Sequence, residues 1–243
     1  MYTPENSGTP LVRLNKHMAD LGLCSRREGD ALIAAGKVLV NGHTAATGTK
    51  VDPSTDVVTL ADHYKPKKLV YYAYNKPVGI VSVNPIPGQT DILHHTLFPE
   101  RVFPVGRLDK DSHGLILVTN DGRITKRLLE PQYENEKEYE VEVHKAVTNE
   151  FITHMSAGVT LEDDGYTTKP AKCWKVGTKK FRIVLTEGKK RQIRRMCETL
   201  EYGVTDLVRL RIGHIVLGTT PVGRYRPLDA KEHLGLMRKL ELE

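Results

Sequence analysis

The stretch "GRLDKDSHGLILVTNDG", Gly106 to Gly122, holds an aliphatic run and, just ahead of it, two carboxylates. Leu115 to Val118 predicts a strand buried on both faces, and Asn120-Asp121-Gly122 is the turn that ends it. Asp109 follows Leu108, so its loop has an apolar anchor, whereas Asp111 stands in "KDSHG", which is polar and turn-like. Asp109 is the stronger candidate for chemistry; the alternative is that both aspartates accept backbone hydrogen bonds in a loop. Outward from this strand, period-two patterns and aliphatic runs recur in "LVYYAY", "YEVEV" and "FRIVL". Between them Ile124, Arg127 and Leu128 fit a short helix, and Ile193, Met196, Cys197 and Leu200 fit another at i, i+3, i+4, i+7. Strands and helices do not alternate strictly, and no glycine-rich loop joins strand to helix. The fold class read from this is a mostly antiparallel α+β domain, not a nucleotide-binding α/β one.

Composition sets the outer limits. With 243 residues, 39% hydrophobic and 27% charged, the chain can bury a real core. No apolar run approaches the ~20 residues that span a bilayer, which excludes a membrane protein of that kind. The polar, turn-rich start "MYTPENSGTP" has no basic-then-apolar signal pattern, so residues 1–10 are expected to be a disordered lead-in and the protein cytoplasmic. Cys24, Cys173 and Cys197 are an odd number without ligand spacing and read as small core residues. The histidines are scattered, with His94 and His95 the one adjacent pair, so no metal is expected. A net charge of +6 suits a polyanion partner, but its distribution matters more than its total.

Residues 11–60 read as a separate unit. Ser25 followed by Glu28 has the form of a capping box, and Ala31, Leu32 and Ala35 then recur at helical spacing. Gly36 stops that helix, Val38 to Val40 is a short strand, and Asn41-Gly42 is a hairpin turn. Arg13, Lys16, Arg26 and Arg27 lie at or near the starts of two helices, where they can meet phosphate. The segment "RLNKHMADLGLCSRREGDALIAAGKVLVNG" resembles the S4-type RNA-binding domain, which implies an RNA-binding module appended to something else. The polar, basic residues 61–69, "ADHYKPKKL", are the expected linker, and residues 70–243 the second domain.

Two further segments of that domain could carry chemistry. In "ENEKEYEVEVHK", alternation exposes Glu136, Glu138, Glu140 and Glu142 to water and turns Tyr139 inward with the valines. Tyr139 either fills the core or walls a pocket. In "TEGKKRQIRRMCETL", the cations Lys189, Lys190, Arg191, Arg194 and Arg195 fall within seven positions at a helix start. The helix dipole makes cations mildly unfavourable there, which calls for an anionic partner, and Arg194, beside the apolar stripe, is the one placed to reach inside.

Together "GRLDKDSHGL", "EKEY" and "GKKRQIRRM", with "NKPVG" at Asn75 to Gly79, resemble the motifs of the RsuA/RluB/RluE/RluF family of pseudouridine synthases. The forms "GRLDKDS", "KEY" and "MSAGV" are similar to the RluF branch, which implies 23S ribosomal RNA as substrate. The resemblance implies a small S4-like domain followed by a mixed, mostly antiparallel pseudouridine synthase sheet, acting as a monomer without a cofactor, with a tRNA as a possible second substrate. It makes Asp109 the catalytic carboxylate, Arg194 the cation that keeps it ionised, and Tyr139 the aromatic against which the flipped base rests. It places Ile193 on the other side of the base, Arg107 against the displaced RNA backbone, and Lys76, Lys189, Lys190, Arg191 and Arg195 among the RNA contacts. Lys189 departs from the family, where arginine is more frequent. Two other classes remain open: a non-catalytic RNA-binding protein, which leaves Asp109, Tyr139 and Arg194 without a purpose, and a hydrolytic glycosylase, which would release free uracil.

Overall fold

The computed structural model describes residues 10–61 and 68–242. The expected lead-in, apart from Pro10, and most of the expected linker lie outside the described residues. The chain forms two compact units that divide between Leu69 and Val70, the turn Asp121–Arg123 apart.

In the first unit, β1 (Val12–Arg13), α1 (Leu14–Asp20), α2 (Arg26–Ala34), β2 (Val38–Val40), β3 (His43–Thr44), β4 (Lys50–Val51) and β5 (Val58–Leu60) follow in order. β1 pairs with β4, and β2 lies between β3 and β5, all antiparallel. The capping box forms: Glu28 N–H donates to Ser25 Oγ at 3.3 Å and Ser25 N–H to Glu28 Oε2 at 3.0 Å. The apolar stripe is not the expected one. Ala31 and Ala35 are exposed, while Gly29 and Ile33 are buried, because α2 turns those two onto α1 and the core of Leu14, Met18, Val38 and Val51. Arg13, Lys16, Arg26 and Arg27 all face solvent.

The second unit comprises β6 (Tyr71–Lys76), α3 (Ile92–His95), β7 (Phe103–Val105), β8 (His113–Thr119), α4 (Arg123–Leu129), β9 (Lys137–Val143), α5 (Asn149–Ala157), β10 (Lys172–Gly177), β11 (Lys180–Leu185), α6 (Gln192–Thr199), β12 (Val204–Ile212), β13 (Ile215–Val216), β14 (Tyr225–Pro227) and α7 (Ala230–Lys239). One mixed sheet runs β10-β11-β9-β12-β8-β6-β14, with β13 added to β12 and β7 to β8. Among the described strands, β12 with β8 is the single parallel pair. The aliphatic run is, as expected, buried on both faces: Leu115 and Leu117 pack with α4 and α7, Ile116 and Val118 with Ile80, Ile92 and Val102. α5 and α6 cover Val141, Val143, Phe181 and Ile183, and Tyr139 touches both this cluster and that of Ile116.

β12 gave no strand signal because Asp206, Arg209 and Arg211 interrupt its apolar residues. The four glutamates beside Tyr139 do not stand free in water either. Arg182 binds Glu138 and Glu140, Arg211 binds Glu136 and Glu138, and Lys180 binds Glu142, because β11 and β12 put cations directly across from them. The three cysteines form no disulfide, Cys197 is buried with Cys24 and Cys173 half-buried, and burial pushes the thiol of Cys173 up to about 12. No helix among the described residues is long and apolar enough to cross a membrane.

Candidate active site

The loop from Gly106 to Ser112 joins β7 to β8, and it is held from below. Leu108 is buried, its N–H donates to Ser82 Oγ at 2.8 Å, and the same hydroxyl donates to the Leu108 carbonyl at 2.8 Å. Gly79 N–H donates to the Lys110 carbonyl at 2.8 Å. Lys76, at the end of β6, is fully buried and donates to three carbonyls: Pro77 at 3.0 Å, Asp109 at 3.0 Å and Ser112 at 2.8 Å. Burial draws its pKa down to about 8, against the pull of Asp109 and Asp111 and with the repulsion of Arg209. Expected among the RNA contacts, Lys76 has no surface to offer RNA; the ammonium is used up inside, gripping both ends of the Asp109–Ser112 turn.

The two carboxylates are treated differently. Asp111 takes two hydrogen bonds from Arg191, Nη1 at 3.1 Å and Nη2 at 3.0 Å, and lies 3.4 Å from Arg194 Nε. Burial alone would raise its pKa, but the hydrogen bond from Arg191 and the charges of Arg194 and Arg191 hold the carboxyl below its ordinary range. Asp109 is half-buried, its backbone carbonyl is clamped by Lys76, and its carboxylate makes no hydrogen bond or ion pair among the described residues. Within this turn the carboxylate left open to a ligand is Asp109.

Arg194, which the resemblance pairs with Asp109, binds the next part of the turn instead. Its Nη2 donates to the Asp111 carbonyl at 2.8 Å and to Ser112 Oγ at 3.2 Å, and Nη1 to the Val204 carbonyl at 3.4 Å. The turn at Lys110 and Asp111 brings Asp111 to the start of α6 ahead of Asp109. Arg191, the residue before α6, sits in the left-handed region at φ 51°, where a side chain costs roughly 1–2 kcal/mol. Its two hydrogen bonds to the Asp111 carboxylate help hold it there.

The basic run is less available than its sequence suggests. Arg195 is bound by Asp163 and Asp164, and Lys189 Nζ lies over the Tyr166 ring, 4.2 Å from its centroid. Lys190 and Arg107 are exposed, and about half of Arg191 remains open. Ile193 is buried in the cluster that Tyr139 also touches, so its role in packing α6 is certain from its position. Tyr139 is half-buried on β9, paired across the ladder with Ile183 and Arg209, and its hydroxyl has no partner among the described residues.

Arg209 was not anticipated. It is 3% exposed, and its Nε donates to the Leu115 carbonyl at 2.6 Å, its Nη1 to that of Arg107 at 3.4 Å, while Nη2 is buried without a partner. Its place depends on Gly114, at φ +103°, where an added Cβ would stand 2.4 Å from the Arg209 carbonyl oxygen. The signal that could have found Arg209 is a lone arginine between Val208 and Leu210.

Residues 70–199 match the family described as RNA pseudouridylate synthase, and residues 12–57 match the S4 domain. The chain belongs to the pseudouridine synthase family. Members of this family are RNA isomerases, and the matched region contains Lys76, Asp109, Tyr139 and Arg194. The chain is 43% identical over 233 residues to the dual-specificity RNA pseudouridine synthase RluF of Escherichia coli (strain K12), covering 95% of this chain and 80% of that protein. It is 35% identical over 232 residues to the uncharacterized RNA pseudouridine synthase YtzG of Bacillus subtilis (strain 168), covering 91% of this chain and 96% of that one. A crystal structure of a pseudouridylate synthase aligns with a TM-score of 0.69 at 29% identity, over 93% of this chain and 99% of the other. This pseudouridine synthase thus carries its S4 domain ahead of a mixed, mostly antiparallel sheet.

Proposed function

We propose that the protein isomerises one uridine of 23S ribosomal RNA to pseudouridine, with Asp109 as the catalytic carboxylate. The observation that carries this reading is the contrast within one turn: Asp111 is bound by two arginines, while the half-buried Asp109 carboxylate has no partner among the described residues. The reaction breaks the bond between ribose C1′ and uracil N1, turns the base, and joins C1′ to C5. N1 takes up a proton and C5 gives one up, so no redox partner or energy input is required. One ionised carboxylate suffices, either adding to C1′ or removing a ribose proton.

The target uridine has to leave its stack to reach a loop held this deep. The Tyr139 ring supports the extruded base, and its hydroxyl, without a partner among the described residues, is placed to exchange the C5 proton. Arg194 acts through the turn, holding the Asp111 carbonyl and the Ser112 hydroxyl, and with Lys76 and Arg191 it surrounds Asp109 with positive charge. Arg107, Lys190 and the open side of Arg191 meet RNA phosphates near the site, and Arg13, Lys16, Arg26 and Arg27 do so from the S4 domain. The enzyme acts as a cytoplasmic monomer without a cofactor. The dual specificity in the name of the Escherichia coli relative suggests a second RNA, and a tRNA is the substrate to try.

The test is carbodiimide labelling with primer extension on RNA from a strain lacking the protein. Loss of one stop in 23S RNA, restored by the wild type but not by Asp109→Asn, is expected. An unchanged modification map overturns the assignment.

A further inference from the structure

A cavity of about 520 Å³ lies outside the residues assigned above, lined by His95, Thr96, Leu97, Val222, Arg224 and Tyr225. It is placed by β6. Side chains alternate along a strand, so Tyr74 and Lys76 share a face about 7 Å apart. The Tyr74 hydroxyl is hydrogen-bonded to His95 Nδ1 at 3.1 Å and to Thr96 Oγ1 at 3.0 Å, while Lys76 holds Asp109. Tyr74, which is bonded to two lining residues of the cavity, and Lys76, which holds the Asp109 loop, are therefore neighbours on one face of the sheet.

Its two walls come from distant parts of the sequence and are both tied down. Asn75 N–H donates to the Arg224 carbonyl at 2.9 Å and Gly223 N–H to the Asn75 carbonyl at 2.8 Å. Gly223, at φ +74°, brings that turn so close that an added Cβ would lie 3.2 Å from His95 Cε1. The site is thus preformed.

Its chemistry is specific. Leu97 is 92% and Val222 63% exposed, an apolar rim with nothing over it; His95 adds an exposed ring, and the half-buried Tyr225, packed on its inner side against Phe98 and Tyr72, adds a second. Arg224 is exposed and makes no ion pair among the described residues, unlike Arg182, Arg195, Arg211 and Arg226, each of which binds a carboxylate. Apolar and aromatic plates beside a free guanidinium are what an unstacked nucleotide needs for its base and its phosphate. A volume of this size takes a nucleoside.

The geometry points to a second nucleotide pocket, which receives an unstacked nucleotide of the substrate RNA a few positions from the target uridine and so fixes which uridine is presented to Asp109. This rests on the pseudouridine synthase reading above. The pocket selects and positions; it takes no part in bond breaking.

The test uses the full-length enzyme and a hairpin carrying the uridine mapped above, intact or with an abasic ribose at each of three positions on either side. Leu97→Glu and Arg224→Ala change exposed side chains, and circular dichroism and melting confirm that both fold. On the intact hairpin each variant is expected to weaken Kd about tenfold, with the single-turnover rate of bound RNA within twofold of wild type. One abasic position is expected to weaken the wild type by a similar factor and to cost the variants nothing more. Wild-type affinity in both variants overturns the pocket, as do losses that multiply at every abasic position. Affinity that couples as expected on a hairpin the wild type never isomerises would leave the pocket standing and overturn the catalytic reading.

Discussion

Replacing Lys76 by methionine separates two properties that usually move together. Lys76 is fully buried and bonded to three carbonyls, two of which bracket the Asp109 turn. Each charge-assisted bond is worth roughly 1.5–3 kcal/mol, yet a buried ammonium also carries a desolvation cost. With its pKa drawn from 10.5 to about 8, that net cost is about 3 kcal/mol at 1.36 kcal/mol per pH unit. The sign follows from proton counting. Between pH 8 and 10.5 the unfolded chain holds the proton that the folded chain has lost, so this residue's contribution to stability rises with pH. At pH 7 the methionine variant is therefore expected to be less stable than wild type by about 1.5 kcal/mol or more, because the three lost bonds outweigh the desolvation cost that is removed with the charge. As pH climbs from 8 towards 10, the wild type should gain on the variant by about 2 kcal/mol in urea unfolding. Activity goes the other way. The variant loosens the turn, and tritium release from 5-tritiated uridine should fall on the order of 100-fold at pH 7, since small misplacements of a reacting group cost that much. Wild-type activity should also decline above pH 8 as the grip weakens. A variant with undiminished tritium release, or a stability difference that stays flat between pH 7 and 10, refutes this account of Lys76.

Other changes have equally definite outcomes. Asp109→Asn should abolish isomerisation while leaving RNA affinity within about twofold and lowering thermal stability only slightly, because its carboxylate makes no hydrogen bond or ion pair among the described residues. Asp111→Ala releases Arg191 and Arg194 and should lower the rate of bound RNA by roughly tenfold, with little change in melting temperature because the pairs are partly solvated. Gly114→Ala should destabilise the fold by about 3 kcal/mol or more in urea unfolding, since a Cβ there meets the Arg209 backbone at 2.4 Å. Removing residues 1–65 should weaken RNA binding at least tenfold at matched salt and leave the rate of bound RNA within a few-fold; equal affinity would count against an RNA-binding role for the S4 unit.

Reading the sequence in isolation worked where the signal is local. The capping box at Ser25, the turn at Asn41-Gly42, the buried run at Leu115 and the helix under Met196 each depend on residues a few positions apart, and each formed as expected. The motif resemblance gave the family and the candidate residues, because short runs such as "GRLDKDS" and "NKPVG" survive as text. It could not say where their side chains go. Lys76 lies inside because β8 and the Asp109 turn close over the end of β6, and only tertiary packing supplies three carbonyls to an ammonium cut off from water. The sequence marks Asp111 only as a polar loop residue, yet the approach of α6 makes it the anchor for two arginines, and Asp163 and Asp164 neutralise a third that looks free for RNA. Arg209 was invisible because charged residues break the pattern of β12, and its burial follows from the parallel pairing with β8 at Gly114. Sequence by itself determined which groups the site has to work with. Tertiary structure decided which stay free, because charges far apart along the chain neutralise one another only when the fold brings them within a few ångströms.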